Sequence, residues 1–194
     1  MDYGVCILAV HGTCISPNWA SIMLIVRKLK ESDEASFRAC VEECRQDNPL
    51  HDFAFNLDLA TNFASYVHLV DGWSHGDVPP NFVPGAFLVA AVKDVVVGRV
   101  SIRYQLNDYL FRFGGHVGYV VAPSFRRKGY ATEILRQTLP IARSAGLNRI
   151  LLTCDDDNVA SQRVIEVNGG VLENVVWEEG LRVPKRRYWI DLKL

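Results

Sequence analysis

The sequence predicts a single α/β domain, a sheet covered by helices on both faces. Three observations lead there. Short runs dense in Val, Ile, Leu and Phe alternate with segments whose apolar residues recur at helical spacing, in the order β-α-α-β-β-β-α-β-α-β-β. The chain has 194 residues, enough for one domain with a full core. Apolar residues make up 49% and charged residues 22%, a balance that excludes extended disorder. A formal charge of -1 argues against nucleic acid as partner. No apolar run reaches the roughly 18 residues of a membrane helix. Five cysteines (Cys6, Cys14, Cys40, Cys44 and Cys154) stand at irregular spacings, with no CxxC pair and no histidines at zinc spacing. They point to a reducing, cytoplasmic compartment rather than a disulfide framework.

Residues 1–22 break from the pattern. Their short apolar run, Val5–Val10, has no basic segment before it and no secretory cleavage site after it. They are expected to form a poorly packed extension, with the functional domain spanning 23–194. Leu24–Arg27 reads as the first strand. Ser32 is expected to cap the next helix, with Asp33 and Glu34 at the positive end of its dipole. Phe37, Cys40, Val41 and Cys44 then recur as one buried stripe. A second helix is expected near Asn56–Val70, followed by a long loop, Asp71–Pro84. Trp73 and His75 in that loop either wall a substrate pocket or lie on the surface.

Phe87–Val92, a Lys93-Asp94 turn and Val95–Tyr104 predict a hairpin, and His116–Val121 a further strand stopped by Ala122-Pro123. Ala131, Leu135, Leu139 and Ala142 form a helical stripe ending near Gly146. Arg149–Cys154 is a continuous apolar strand of the kind buried on both faces. Asp157 or Asn158 caps a helix whose Ala160, Val164 and Val167 are expected to face inward before Gly169-Gly170 ends it. Val171–Trp177 and Arg186–Leu194 make a closing hairpin, with Tyr188, Ile190, Leu192 and Leu194 on one face.

The segment with the clearest chemistry is Val120-Val121-Ala122-Pro123-Ser124-Phe125-Arg126-Arg127-Lys128-Gly129-Tyr130-Ala131-Thr132. A strand ends, three bases follow, and a glycine opens a helix. The first amides of a helix lack internal partners and the dipole favours negative charge beside them, so this is an anion cradle. Gly129 admits close approach to the backbone, and Arg126, Arg127 and Lys128 add charge. Spacing alone leaves a solvated basic turn at an ordinary helix start equally open.

R-x-x-G-x-A at a strand-to-helix turn resembles the acyl-CoA-binding motif of the GNAT superfamily of N-acyltransferases. A second block, Thr153 through Asn158 and Ser161 to Gly169-Gly170, is similar to the strand, asparagine-capped helix and glycine-rich end that follow the cradle there. Ile102–Tyr104, Leu106–Leu110, Gly114–Tyr119 and Lys185–Ile190 resemble a less-characterised bacterial subgroup. The resemblance covers about residues 23–194 and implies a mixed, mostly antiparallel sheet of six to seven strands. In it the two central strands, His116–Val121 and Arg149–Cys154, run parallel but splay apart to admit the cofactor.

The resemblance further implies that Tyr119, Val120 and Val121 pair with the pantetheine arm of acetyl-CoA through their backbone. Residues Arg126, Arg127, Lys128, Gly129, Tyr130, Ala131 and Thr132 would hold the pyrophosphate, and Asn158 and Ser161 the pantetheine or thioester side. The implied reaction is direct acetyl transfer to a primary amine, from a small molecule or a peptide, in a ternary complex without metal. A non-catalytic acyl-CoA sensor or interaction domain is the alternative. A homodimer is among the assemblies the resemblance allows.

Relatives often carry a glutamate base where His116 stands; His116 is therefore either the proton acceptor or a hydrogen-bonded residue that orients its strand. The tyrosine that relatives use to protonate the leaving thiolate is replaced by Ile165, which leaves the general acid open. Asn107 and Asp108 either read a cationic amine or form an ordinary turn. Cys154 is a poor nucleophile candidate with no histidine near it in sequence, and Asp155–Asp157 read as helix-capping charge rather than a metal site. The run Lys185–Arg187 reads as a solvated strand edge.

Overall fold

The computed structural model describes residues 24–49, 52–178, 180 and 182–193. The expected extension over residues 1–22, Cys6, Cys14 and Leu194 lie outside the described residues. Strands β1 (Leu24–Lys28), β2 (Gly85–Val92), β3 (Val95–Arg103) and β4 (Val117–Val121) form one antiparallel sheet in the order β1-β2-β3-β4. Strands β5 (Arg149–Asp155), β6 (Val171–Val176) and β7 (Lys185–Asp191) form a second, in the order β5-β7-β6. The β2–β3 turn is Lys93-Asp94, both with positive φ (48° and 65°), the backbone hand that suits a two-residue hairpin.

Helices α1 (Glu34–Asp47) and α2 (Phe63–Gly72) cover one face, and α3 (Tyr130–Ser144) and α4 (Val159–Val167) the other. Seven strands and four helices alternate as the apolar pattern predicts. The two sheets meet at β4 and β5, which α3 joins by the crossover that parallel neighbours require.

Each face has its own core. Ile134, Leu135 and Ala142 of α3 and Ile165 of α4 pack on Val100, Ile102, Ile150, Leu152 and Tyr188. On the other face, Phe37 lies at the centre of an aromatic cluster, its ring centroid 5.4–6.2 Å from those of Phe53, Phe63, Tyr66 and Phe87. The Tyr66 hydroxyl donates to the Ala54 carbonyl, so this buried phenol is satisfied. Burying each such ring contributes about 1.5–3 kcal/mol by area, the main force holding α1 and α2 to the sheet.

Four expectations are corrected. Ser32 lies in a short 3-10 turn, Glu31–Asp33, and does not cap α1. Asp33 stands there instead, its carboxylate accepting two bonds from Arg27 (2.7 and 2.8 Å) and one from the Lys30 N–H (2.8 Å), which ties α1 to β1. Helix α2 starts at Phe63 rather than Asn56, because Asn62 and Ser65 close a reciprocal capping pair and Asn56 takes a left-handed φ of 62°.

Trp73, neither pocket wall nor surface, is buried against Phe55, Phe82 and Phe87. In α4 Ile165 is fully buried and the expected Val164 packs partly against the same core, while Val167 is 68% exposed and Ala160 is exposed. Apolar spacing specifies the period of a short helix, but its phase is set by packing, here against α3.

Candidate active site

Strand β4 pairs with β3 from Val117↔Ile102 to Val121↔Gly98. The Arg103 N–H donates to the His116 carbonyl (2.8 Å) and the Ala122 N–H to the Val97 carbonyl (3.0 Å). Residues 118, 120 and 122 therefore direct their backbone groups at β3, as does the carbonyl of His116, and the alternation turns those of Val117, Tyr119 and Val121 toward β5. Among the described residues β5 ladders only with β7, so no strand meets them. The two strands touch at the foot of this fork. The His116 N–H donates to the Leu151 carbonyl (2.7 Å), and the Leu151 N–H donates to His116 Nδ1 (2.9 Å). Gly115, at φ 65°, makes that approach possible, since a Cβ there would lie 2.6 Å from the Leu151 carbonyl oxygen.

Beyond the open end of β4, a 3-10 turn (Pro123–Phe125) leads into Arg126–Gly129 and the start of α3. Arg127 (φ 61°) and Gly129 (φ 79°) both adopt the left-handed conformation, and the Glu133 N–H bonds to the Gly129 carbonyl (3.2 Å). Among the described residues, the amides of Arg127 through Thr132 have no protein acceptor. Consecutive unpaired amides at a helix mouth suit a diphosphate.

The basic side chains divide. Arg126 turns back, bonding the Val121 carbonyl (3.2 Å) and the Asp47 carboxylate (2.7 Å). Lys128 donates to the Ser124 carbonyl (3.2 Å) and sits over the Phe125 ring. Arg127 is exposed, with no ion pair among the described residues. Tyr130 and Ala131 pack partly against the core, and the Thr132 carbonyl accepts from Asn168.

Across the fork, the Asn158 carboxamide oxygen accepts the Ser161 N–H (2.9 Å) and caps α4. The Tyr119 hydroxyl and Ser161 Oγ lie 2.8 Å apart, so a side chain of β4 reaches α4 over the open end. Burial pushes the Tyr119 phenol up to about 12, partly offset by its bond to Ser161. Ile165, one turn further along α4, is fully buried. Burial also pushes the Cys154 thiol up to about 11, which opposes a thiolate nucleophile.

His116 does not have the geometry of a base. Its Nδ1 lone pair is taken by the Leu151 N–H, which leaves the proton of the neutral ring on Nε2. Burial, with Arg103 nearby, holds the imidazole down at about 4. The ring is thus bonded to β5.

Asn107 serves a turn: its side-chain oxygen accepts the Leu110 N–H (2.9 Å) and its carbonyl the Phe111 N–H (2.8 Å). Asp108 is exposed, with no ion pair among the described residues. The acidic run is paired rather than free: Asp155 with Lys185, Asp156 with Arg186 (2.6 Å) and Asp157 with Arg182 (3.1 Å). Lys185 and Arg186 are thus partners of the acidic run, and Arg187 is buried beside Glu173 (3.2 Å). Among the described residues no cluster of His, Cys, Asp and Glu suits a metal ion, and no helix is long and apolar enough to cross a membrane.

Two further polar residues border the fork without a sequence motif to mark them. Arg99 and Arg103 flank Ser101 on one face of β3, opposite Gly118. Arg99 is buried and bonds the carbonyls of Phe53 (3.1 Å), Asp52 (2.8 Å) and Gly118 (3.3 Å). Arg103 bonds the carbonyls of Gly114 (3.2 Å) and Gly115 (3.1 Å). Polar residues at period two inside an apolar strand were the available signal.

A forked sheet with an amide cradle at its open end restricts the families this chain can join, and a sequence comparison decides between them. The family model of the acetyltransferase (GNAT) domain matches residues 23–171. The chain belongs to the GNAT acetyltransferase family. This GNAT chain is 32% identical over 100 residues to YnaD, an uncharacterized N-acetyltransferase of Bacillus subtilis (strain 168). That match covers 51% of this chain and 55% of YnaD, about half the length of the relative. Similar folds include Mycobacterium smegmatis RimJ in complex with CoA-disulfide (TM-score 0.65, 19% identity, 87% of this chain and 81% of that one). Another is yncA, a putative acetyltransferase from Salmonella typhimurium with acetyl-CoA (TM-score 0.59, 17% identity, 88% and 95%).

Proposed function

We propose that this chain transfers the acetyl group of acetyl-CoA to a primary amine by direct attack in a ternary complex. The observation that carries the reading is the fork: strand edges without a ladder partner on one side, and the unpaired amides of Arg127–Thr132 at its mouth. The bound RimJ and yncA structures support it as relatives of the same fold.

The residues fit the co-substrate. The amides of Arg127–Thr132 would hold the pyrophosphate, with the exposed Arg127 nearest solvent. Arg126 acts indirectly, by fixing the turn to α1. Tyr119 and Val121 turn backbone groups to the fork and would pair with the pantetheine arm, whereas the groups of Val120 are directed at β3. Acetyl-CoA, when bound, supplies a thioester open to attack by an amine. The Tyr119 N–H is a fixed donor for charge developing on the carbonyl oxygen.

The hydroxyl pair of Tyr119 and Ser161 holds a proton at the fork and takes the part of general acid toward the departing sulfur. No carboxylate or free imidazole among the residues described here as the site serves as base. A free amine is neutral to about one part in a thousand near pH 7, so water is left to carry its proton away.

The test is release of CoA thiol from acetyl-CoA across a panel of primary amines. Amine-dependent release supports transfer. Tight CoA binding without release on any amine would favour the sensor reading, for which the buried Ile165 in place of the usual tyrosine is the relevant observation.

A further inference from the structure

We infer that the acceptor amine carries an anionic group, a carboxylate or phosphate, that Arg103 reads beside the fork; the inference rests on the transferase reading above. Arg99, Ser101 and Arg103 alternate on β3 and so share one face, and Ser101 stands directly opposite Gly118 of β4. Gly118 has no side chain to separate that face from the fork. A Cβ built on it would lie 3.4 Å from Ser101 Oγ and 3.7–3.8 Å from the two terminal nitrogens of Arg103. The guanidinium of Arg103 thus borders the segment of β4 whose Tyr119 N–H faces the reaction.

The charge there is uncompensated. Neither Arg99 nor Arg103 forms an ion pair among the described residues; both are held by main-chain carbonyls. Arg99 engages all three of its nitrogens, with three backbone carbonyls and Ser101 Oγ, and acts as a fixed cation behind the site. Arg103 uses only Nη1, which leaves Nε–H and Nη2–H without a protein acceptor. Burial lowers the pKa of both, that of Arg99 to about 10, and an arginine side chain keeps its charge in proteins. The titratable groups around them are Asp52, Tyr66 and Cys44 at Arg99, with Tyr109 and His116 at Arg103. His116 is held neutral.

A planar guanidinium with two free donors is built for a carboxylate or phosphate. A cationic polyamine would be repelled. The same field favours the neutral form of the acceptor amine and so aids attack. Asn107 and Asp108, for which the sequence allowed a cation reader or an ordinary turn, are not needed in this reading, where Arg103 meets an anion.

The experiment compares matched acceptors: the peptide Ser-Glu-Glu against Ser-Lys-Lys, both used throughout as C-terminal amides so that only the first carries carboxylates, and glycine against glycinamide. The anion-bearing member of a pair should show kcat/KM at least about tenfold higher, the size of one charge-assisted hydrogen bond. Arg103→Gln should shrink that preference to about threefold or less with CoA affinity unchanged, and Arg103→Lys should preserve its direction. Calorimetric titration of N-acetylated Ser-Glu-Glu and Ser-Lys-Lys into CoA-saturated protein reads the same selectivity without turnover. A lysine peptide that reacts or binds as well overturns the inference. So does a preference unchanged in Arg103→Gln, or absence of both binding and turnover for every anionic probe. Arg103-dependent binding of the glutamate peptide with no turnover on any amine would sustain this inference and reject the transferase reading.

Discussion

The Leu151 N–H donates to His116 Nδ1 at 2.9 Å while the His116 N–H donates to the Leu151 carbonyl at 2.7 Å, a two-bond ring that pins the foot of the fork. His116→Ala orphans a buried donor and is expected to cost about 1–3 kcal/mol, lowering the melting temperature by several degrees. The pH dependence has a definite sign. The folded imidazole protonates near 4 against an ordinary value of 6.5, so the unfolded chain binds more protons between those values. Stability should therefore fall as pH drops from 6.5 toward 4, by an amount on the order of 2 kcal/mol. Chemical denaturation across that range checks this, with His116→Asn, which keeps an acceptor but cannot titrate, showing the flatter profile. The pH dependence of kcat/KM should be the same in both proteins.

Gly129→Glu places a carboxylate among the unpaired amides and a side chain where φ is 79°. CoA binding should be lost, so the CoA-induced rise in melting temperature disappears. Arg127→Ala, which removes an exposed charge, should weaken CoA by a smaller factor, about threefold to tenfold. Equal CoA affinity in Gly129→Glu and wild type would move the cofactor away from this turn.

Tyr119→Phe and Ser161→Ala each break the hydroxyl contact of 2.8 Å. If that pair delivers the proton to sulfur, each variant should lose about tenfold or more in kcat, with KM for acetyl-CoA changed far less. The double variant should lose little more than the worse single one, because the two hydroxyls act as a unit. Additive losses would separate their roles.

Asp33 is almost fully buried and paired with Arg27, so Asp33→Asn leaves a guanidinium short of its counter-charge. The expected cost is about 3–5 kcal/mol, measured by denaturant unfolding at neutral pH. Burial alone would raise the pKa of this carboxyl, but its bonds from Arg27 and the Lys30 amide bring it below the ordinary 3.8. Its contribution is thus complete above 3.8 and is lost as pH falls through the lower folded value.

Much of this was legible because it is local. The strand-turn-helix of Val121–Ala131, the Asn158 cap and the Phe37–Cys44 stripe are each encoded within a dozen residues. What was not legible depends on distant partners. His116 reads as a base until Leu151, 35 positions away, takes its lone pair. Asp155–Asp157 read as capping charge until the closing hairpin supplies Lys185, Arg186 and Arg182. Val167 and Ile165 lie on opposite sides of α4, and only contact with the sheet and α3 picks Ile165. Arg99 and Arg103 were visible as residues but silent as a pair, because their meaning comes from the bare backbone of Gly118 on another strand.

Backbone edges left without a ladder partner are normally a hazard, since they recruit strands from other chains. Here the two bare edges, on β4 and β5, look at each other from inside one molecule, with α3 and α4 over them and a pinned foot beneath. Edges that face each other across one fork offer no open row to a stranger's sheet, yet the fork suits a slender, amide-bearing tail. Sheltered this way, a seam left unfinished among the described residues is expected to add little tendency to aggregate.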